Sequence, residues 1–77
     1  MPLVENFLAN FRAAMAAKGM SIADVAEESG IHRVQISRIL NEHAEPSVPT
    51  CERLARAVGL RPDTVFLEPE KISADTP

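Results

Sequence analysis

Three glycines cut this chain into stretches too short for anything but small helices. Gly19, Gly30 and Gly59 each close a run whose apolar residues recur at three- and four-residue spacing. The first run, from about Leu3 to Lys18, is apolar at Val4, Leu8, Phe11 and Met15, and Leu3, Phe7 and Ala14 widen the stripe. Lys18 stands where a cation meets the negative end of the helix dipole, and Gly19 supplies the stop. Ser21 opens a second, short helix with Asp24 as a capping-box partner, and Gly30 ends it. A third helix runs from His32 or Arg33 to about Asn41. The stretch Glu42–Val48 is a loop around Pro46. Ser47 caps a fourth helix, since Pro49 falls in the first turn, where a missing N–H costs nothing. That helix carries Val48, Cys51, Leu54, Ala55 and Val58 on one stripe, closed by Gly59. Arg61 to Leu67 reads as a short fifth helix, opened by Pro62. The expectation is one all-α domain over residues 1–67 and a flexible, polar tail over 68–77.

Size and composition narrow the function classes. The chain has 77 residues, so its core is too small to enclose a large cofactor. No stretch is apolar for long enough to span a membrane, and no basic segment precedes an apolar run as in a secretory signal. The single cysteine, Cys51, has no partner for an internal disulfide, which fits a reducing cytoplasm. The spacings among His32, His43 and Cys51 match no metal-ligand pattern, and Cys51 belongs to a core stripe, so no metal is expected. The same burial removes Cys51 as a nucleophile. With no glycine-rich phosphate loop and no paired-carboxylate motif, the chain offers no catalytic residues and no cofactor site; it does not read as an enzyme.

The net charge of −3 weighs against a nucleic-acid binder until its distribution is considered. Residues 68–77 hold three acids and one lysine, hence −2, which leaves −1 for residues 1–67. Between Gly30 and Asn41 stand Arg33 and Arg38 and no acid.

That segment carries the functional information. From Ser21 to Asn41, two short helices flank Gly30, which provides the positive φ of a tight turn at no steric cost. Val25 and the small Ala26 face inward from the first helix and let the second cross closely. Ile31 plugs the corner, and Ile36 and Ile39 turn the second helix into the core. At 100° per residue, Arg33, Val34, Ser37, Arg38 and Asn41 then share an outer arc of about 140°. Its only charges are two arginines, which suits a major groove. This is the layout of a helix-turn-helix.

The runs GMSIADVAEESGIHRVQISRIL, EPSV and RLARAVGLRPDTVFL resemble the phage repressor and Cro-like (xenobiotic-response-element type) helix-turn-helix family over nearly all of residues 11–67. The resemblance implies a compact five-helix domain in which the second and third helices, about 21–41, form the DNA-reading unit. By position it implies base contacts from Arg33, Val34 and Arg38, with Ser37 beside them. It also implies phosphate contacts from Ser21, His32, Gln35 and Asn41, to which Ser37 and the loop residue His43 are candidates. His32 precedes the third helix, where it reads first as a weak cap and second as a phosphate contact. Val34 is either an isolated exposed apolar residue or a reader of a thymine methyl group.

Three departures from the family pattern stand out. Ile22 replaces a glutamine that commonly holds a phosphate. The loop after the third helix, commonly glycine followed by basic residues, is Glu42, His43, Ala44 and Glu45, and its acids face a DNA backbone unfavourably. Met15 and Leu40 stand where a buried Arg–Glu pair is frequent, and they are expected to pack together in the core instead.

The expected function is sequence-specific DNA binding and transcription regulation, with repression of a palindromic operator by a homodimer. Leu60, Val65, Phe66 and Leu67 concentrate apolar area near the chain end and are the expected dimer contact, the alternative being that they close the core. The acidic balance and the Glu42–Glu45 loop motivate a second reading, an antitoxin-like partner of a toxin that also represses its own operon. A remnant without DNA activity is a third.

Overall fold

The computed structural model describes residues 2–67 as four helices joined by tight connections: α1 (Pro2–Lys18), α2 (Ile22–Ser29), α3 (Arg33–Leu40) and α4 (Val48–Ala57). The tail expected over 68–77 lies outside the described residues. α2 packs against both α3 and α4, and α1 packs against α4. No helix among the described residues is long and apolar enough to cross a membrane.

Each helix starts and stops on identifiable chemistry. Ser21 Oγ accepts from Asp24 N–H at 3.1 Å while Asp24 Oδ2 accepts from Ser21 N–H at 2.9 Å, a complete capping box. Ser47 caps α4 through Thr50 N–H at 3.3 Å, and His32 Nδ1 caps α3 by accepting from Val34 N–H at 3.1 Å. At the other ends, α1, α3 and α4 terminate alike. An amide two or three residues beyond the helix reaches back five positions: Met20 to Met15 O (3.0 Å), His43 to Arg38 O (2.8 Å) and Leu60 to Ala55 O (2.8 Å). This closure needs a left-handed residue, supplied by Gly19 (φ 64°), Gly59 (φ 80°) and, after α3, Glu42 (φ 61°).

The core is built from every helix: Phe7, Leu8 and Phe11 of α1, Val25 of α2, Ile36 and Ile39 of α3, and Cys51, Leu54 and Ala55 of α4 are buried. Ile31, Val58 and Val65 complete it from the connections. The Phe7 and Phe11 rings stack with centroids 5.5 Å apart, and Phe66 tilts against Phe7 at 6.2 Å. Met15 and Leu40 pack against this cluster but stay half-buried. α1 is also tied to the end of α3 by Arg12, whose Nη2 donates to the Leu40 carbonyl.

The fifth helix expected over Arg61–Leu67 is absent. The segment is a pair of tight turns, with Thr64 N–H on Arg61 O at 3.2 Å and Leu67 N–H on Thr64 O at 3.0 Å. Its carbonyls are satisfied from outside. Asn10 Nδ2 donates to Val65 O (2.7 Å) and Leu67 O (2.8 Å), and Asn6 Nδ2 donates to Phe66 O (3.0 Å). With α1 amides supplying these bonds, seven residues need no helical ladder of their own, and nucleating one would be costly. The segment nonetheless does the packing expected of it, because Val65 and Phe66 cover α1.

Candidate nucleic-acid interface

The geometry of the interface follows from two side chains that never see solvent. Ile36 and Ile39 are 0% and 1% exposed, which pins one face of α3 to the core and turns the opposite face out. On that outer face Arg33, Val34 and Arg38 are exposed, Val34 at 56%, whereas Ser37 is half-buried; Gln35 is exposed at its flank. α3 contains no acid, so the face carries two positive charges and no competing carboxylate of its own helix.

α3 is held at its angle by the turn before it. Gly30 has φ 76°, its N–H donates to Ala26 O at 2.9 Å, and Ile31 N–H donates to Ser29 Oγ at 3.1 Å. From α4, Arg53 Nη2 donates to Ser29 O at 2.8 Å. The turn is therefore gripped by a third helix as well as by its own residues. The sequence pattern did not mark Arg53 for this role, since an exposed arginine on an amphipathic helix reads as a solvated charge.

The expected contact residues fall into three groups. Ser21, Arg33, Val34 and Ser37 gather with Ile22 and Ala23 around one depression between α2 and α3. His32, Val34, Gln35 and Arg38 gather with Ala44 around a second. Val34 lies between them and contributes to both. Asn41, at the end of α3, donates from Nδ2 to Ser37 Oγ at 3.4 Å. His43 stands apart, in a cleft between α1 and the loop that also holds Glu5, Glu42 and Glu45. Three carboxylates around it make poor company for a phosphate. Of the expected dimer residues, Val65 is fully buried within its own chain and Leu60 and Phe66 are packed against the core, so Leu67 is the one that presents a large exposed side chain.

The electrostatics of α2's start are local. The backbone N–H and hydroxyl of Ser21 hold the Asp24 carboxyl below its ordinary range. Ser21 N–H is thereby committed to Asp24, and its hydroxyl accepts from Asp24 N–H in the capping box. Among the described residues no group of three or more His, Cys, Asp or Glu side chains is arranged to hold a metal ion.

A helix-turn-helix family model matches residues 11–65, and the chain belongs to that family. Membership points to a DNA-binding transcription regulator, and the matched span covers the capped α2, the Gly30 turn, α3 and α4. Comparisons with curated proteins and with solved structures each returned no match.

Proposed function

We propose that the chain is a repressor of the phage repressor and Cro-like type that binds a palindromic operator as a dimer, with α3 in the major groove. The observation that carries this reading is the orientation of α3. Its isoleucines are buried, and an acid-free outer face presents Arg33, Val34 and Arg38. Arg33 lies in the first turn, where a guanidinium reaches deepest and its fork matches O6 and N7 of guanine. Ser21, His32, Gln35 and Asn41 flank this face and serve as phosphate contacts.

A near-neutral domain with few basic residues binds weakly as a single copy. Two copies on half-sites one helical turn apart, about 34 Å, multiply the contacts. Leu67, with the exposed parts of Leu60 and Phe66, is the proposed contact between copies, and occlusion of the promoter is the mode of repression.

The test is a selection from random duplexes at low salt, run in parallel on the wild type and Arg33→Ala. Enrichment of a two-fold symmetric site by the wild type, with relaxed preference at one or two base pairs per half-site in the variant, is the expected result. Identical logos, or no enrichment by either protein, would overturn the reading. Sedimentation of the protein alone and on the selected duplex tests the dimer, which a strict monomer in both conditions would exclude.

A further inference from the structure

The first turns of α2 and α3 enclose an open depression of about 470 Å³ lined by Ser21, Ile22, Ala23, Arg33, Val34 and Ser37. Its walls are alkyl groups from both helices: Ile22, half-buried with part of its side chain against the core, the Ala23 methyl, and the exposed Val34. Ser21, Arg33 and Ser37 form a polar rim. No carboxylate lines it, because the one acid of α2's first turn, Asp24, is engaged by the Ser21 backbone and hydroxyl. This hollow lies on the face assigned above to DNA, beside the arginine assigned to guanine.

The walls that α2 supplies are unsuited to phosphate, since the side chains of Ile22 and Ala23 carry no donor. The hollow is equally unsuited to the amide and carbonyl edges of bases, which would lose hydrogen bonds to water against Ile22 and Val34. The major groove presents one apolar group, the C5 methyl of thymine. We propose that Ile22, Ala23 and Val34 form a subsite for a thymine methyl group, and that Ile22 is a specificity-determining residue contributed by α2 rather than by α3. This proposal rests on the reading of α3 as the base-reading helix. It gives Ile22 a purpose that a phosphate-contacting residue at the same place would not have.

The experiment starts from the duplex selected by the wild type and replaces each thymine in turn by deoxyuridine, which removes only the methyl group. Wild-type affinity should fall about four-fold, the worth of one buried methyl-sized group, at one thymine per half-site. Ile22→Ser and Val34→Ser remove the side-chain methyl groups and leave a hydroxyl, and helical content and melting are checked for both. In each folded variant the thymine-to-deoxyuridine difference at that position should shrink toward one, while dependence on Arg33 persists. Because Val34 lies outside the core, Val34→Ser keeps the test valid should Ile22→Ser unfold. A symmetric site that depends on Arg33 but is indifferent to every deoxyuridine replacement overturns this proposal alone. An undiminished methyl effect in folded Ile22→Ser removes Ile22 from the subsite. Loss of all sequence selection, with no effect of Arg33→Ala, overturns the base-reading assignment and this proposal together.

Discussion

Asn10, on the buried side of α1, donates from Nδ2 to the carbonyl of Val65 at 2.7 Å and, bifurcating, to that of Leu67 at 2.8 Å. Only 5% of Asn10 is exposed, so this amide is a polar group placed among Phe7, Phe11 and Val65 to hold the chain's last turns onto α1. Asn10→Ala leaves those carbonyls without their donor, and the expected cost is about 2–3 kcal/mol. That should lower the melting temperature by more than about 8 °C in a domain of this size. Asn10→Asp is expected to be at least as damaging at neutral pH, because it sets a carboxylate against two carbonyl oxygens. Thermal melts followed by circular dichroism check both.

Glu42 occupies, after α3, the left-handed position that glycine fills after α1 and α4. A side chain there costs roughly 1–2 kcal/mol of backbone strain, while glycine costs about 0.5–1 kcal/mol in unfolded-state entropy. Glu42→Gly should therefore stabilise the protein by up to about 1 kcal/mol, raising its melting temperature by a few degrees. It also removes an acid from the loop after α3, so on the proposed docking affinity for any duplex should rise at low salt. A melting temperature below the parent's would show that the Glu42 side chain contributes something the strain argument omits.

Gly30 and Arg53 should behave as a coupled pair. A Cβ on Gly30 would come within 2.8 Å of Arg53 Nη2, the atom bonded to Ser29 O, in a backbone region that already disfavours side chains. Gly30→Ala is expected to cost about 2 kcal/mol, from the left-handed φ and from the displaced Arg53 bond together. Arg53→Ala alone should cost less, about 1 kcal/mol. The double variant should then be more stable than the sum of the two losses predicts, since the clash and the bond vanish together. Strict additivity in denaturant titrations would disprove the contact.

Much of this architecture is legible from local signals. Ser21 with Asp24, Ser47 before Pro49, and the three glycines each specify a helix end through a few neighbouring atoms. The isoleucines at 36 and 39 orient α3 by spacing alone. What escapes such a reading depends on partners far along the chain. Asn10 looks like a polar interruption of an apolar stripe until Val65 and Leu67 stand opposite it, 55 and 57 residues away. For the same reason Arg61–Leu67 reads as a helix, because nothing nearby in sequence reveals that α1 supplies its hydrogen bonds. Ile22 reads as the loss of a phosphate contact when viewed only along α2, and as one wall of a depression once Val34 stands across from it.

Cys51 should be inert while the protein is folded. Its thiol is pushed up from 9.0 to about 11, first by burial and second by the neighbouring Glu52 carboxylate. A thiol whose folded value is raised keeps its proton in the native state while the unfolded chain has already lost its own. Stability should therefore be unaffected by this group below pH 9.0 and decline as pH rises from there through about 11. Melting of the wild type and of Cys51→Ala across this range should show the wild type losing stability faster. At pH 8, iodoacetamide should label Cys51 only at the rate set by unfolding; prompt labelling of native protein would mean the side chain is open to solvent.

Arg38 separates the two ways in which α3 can use charge. It lies more than a turn beyond Arg33, exposed and in the last turn of α3, and on the proposed docking it would meet the DNA backbone rather than the groove floor. Arg38→Ala should accordingly weaken binding to selected and random duplexes by similar factors. It should also reduce the slope of log affinity against log salt by about one unit per subunit, the signature of one lost phosphate contact. Arg33→Ala should act the other way round, with a loss of about 1–3 kcal/mol confined to duplexes that carry the preferred base pair. Titrations of both variants at several salt concentrations, on the selected site and on a scrambled one, resolve the two. If Arg38→Ala proves sequence-selective with an unchanged salt slope, Arg38 reads a base and the groove-facing arc extends a full turn further along α3.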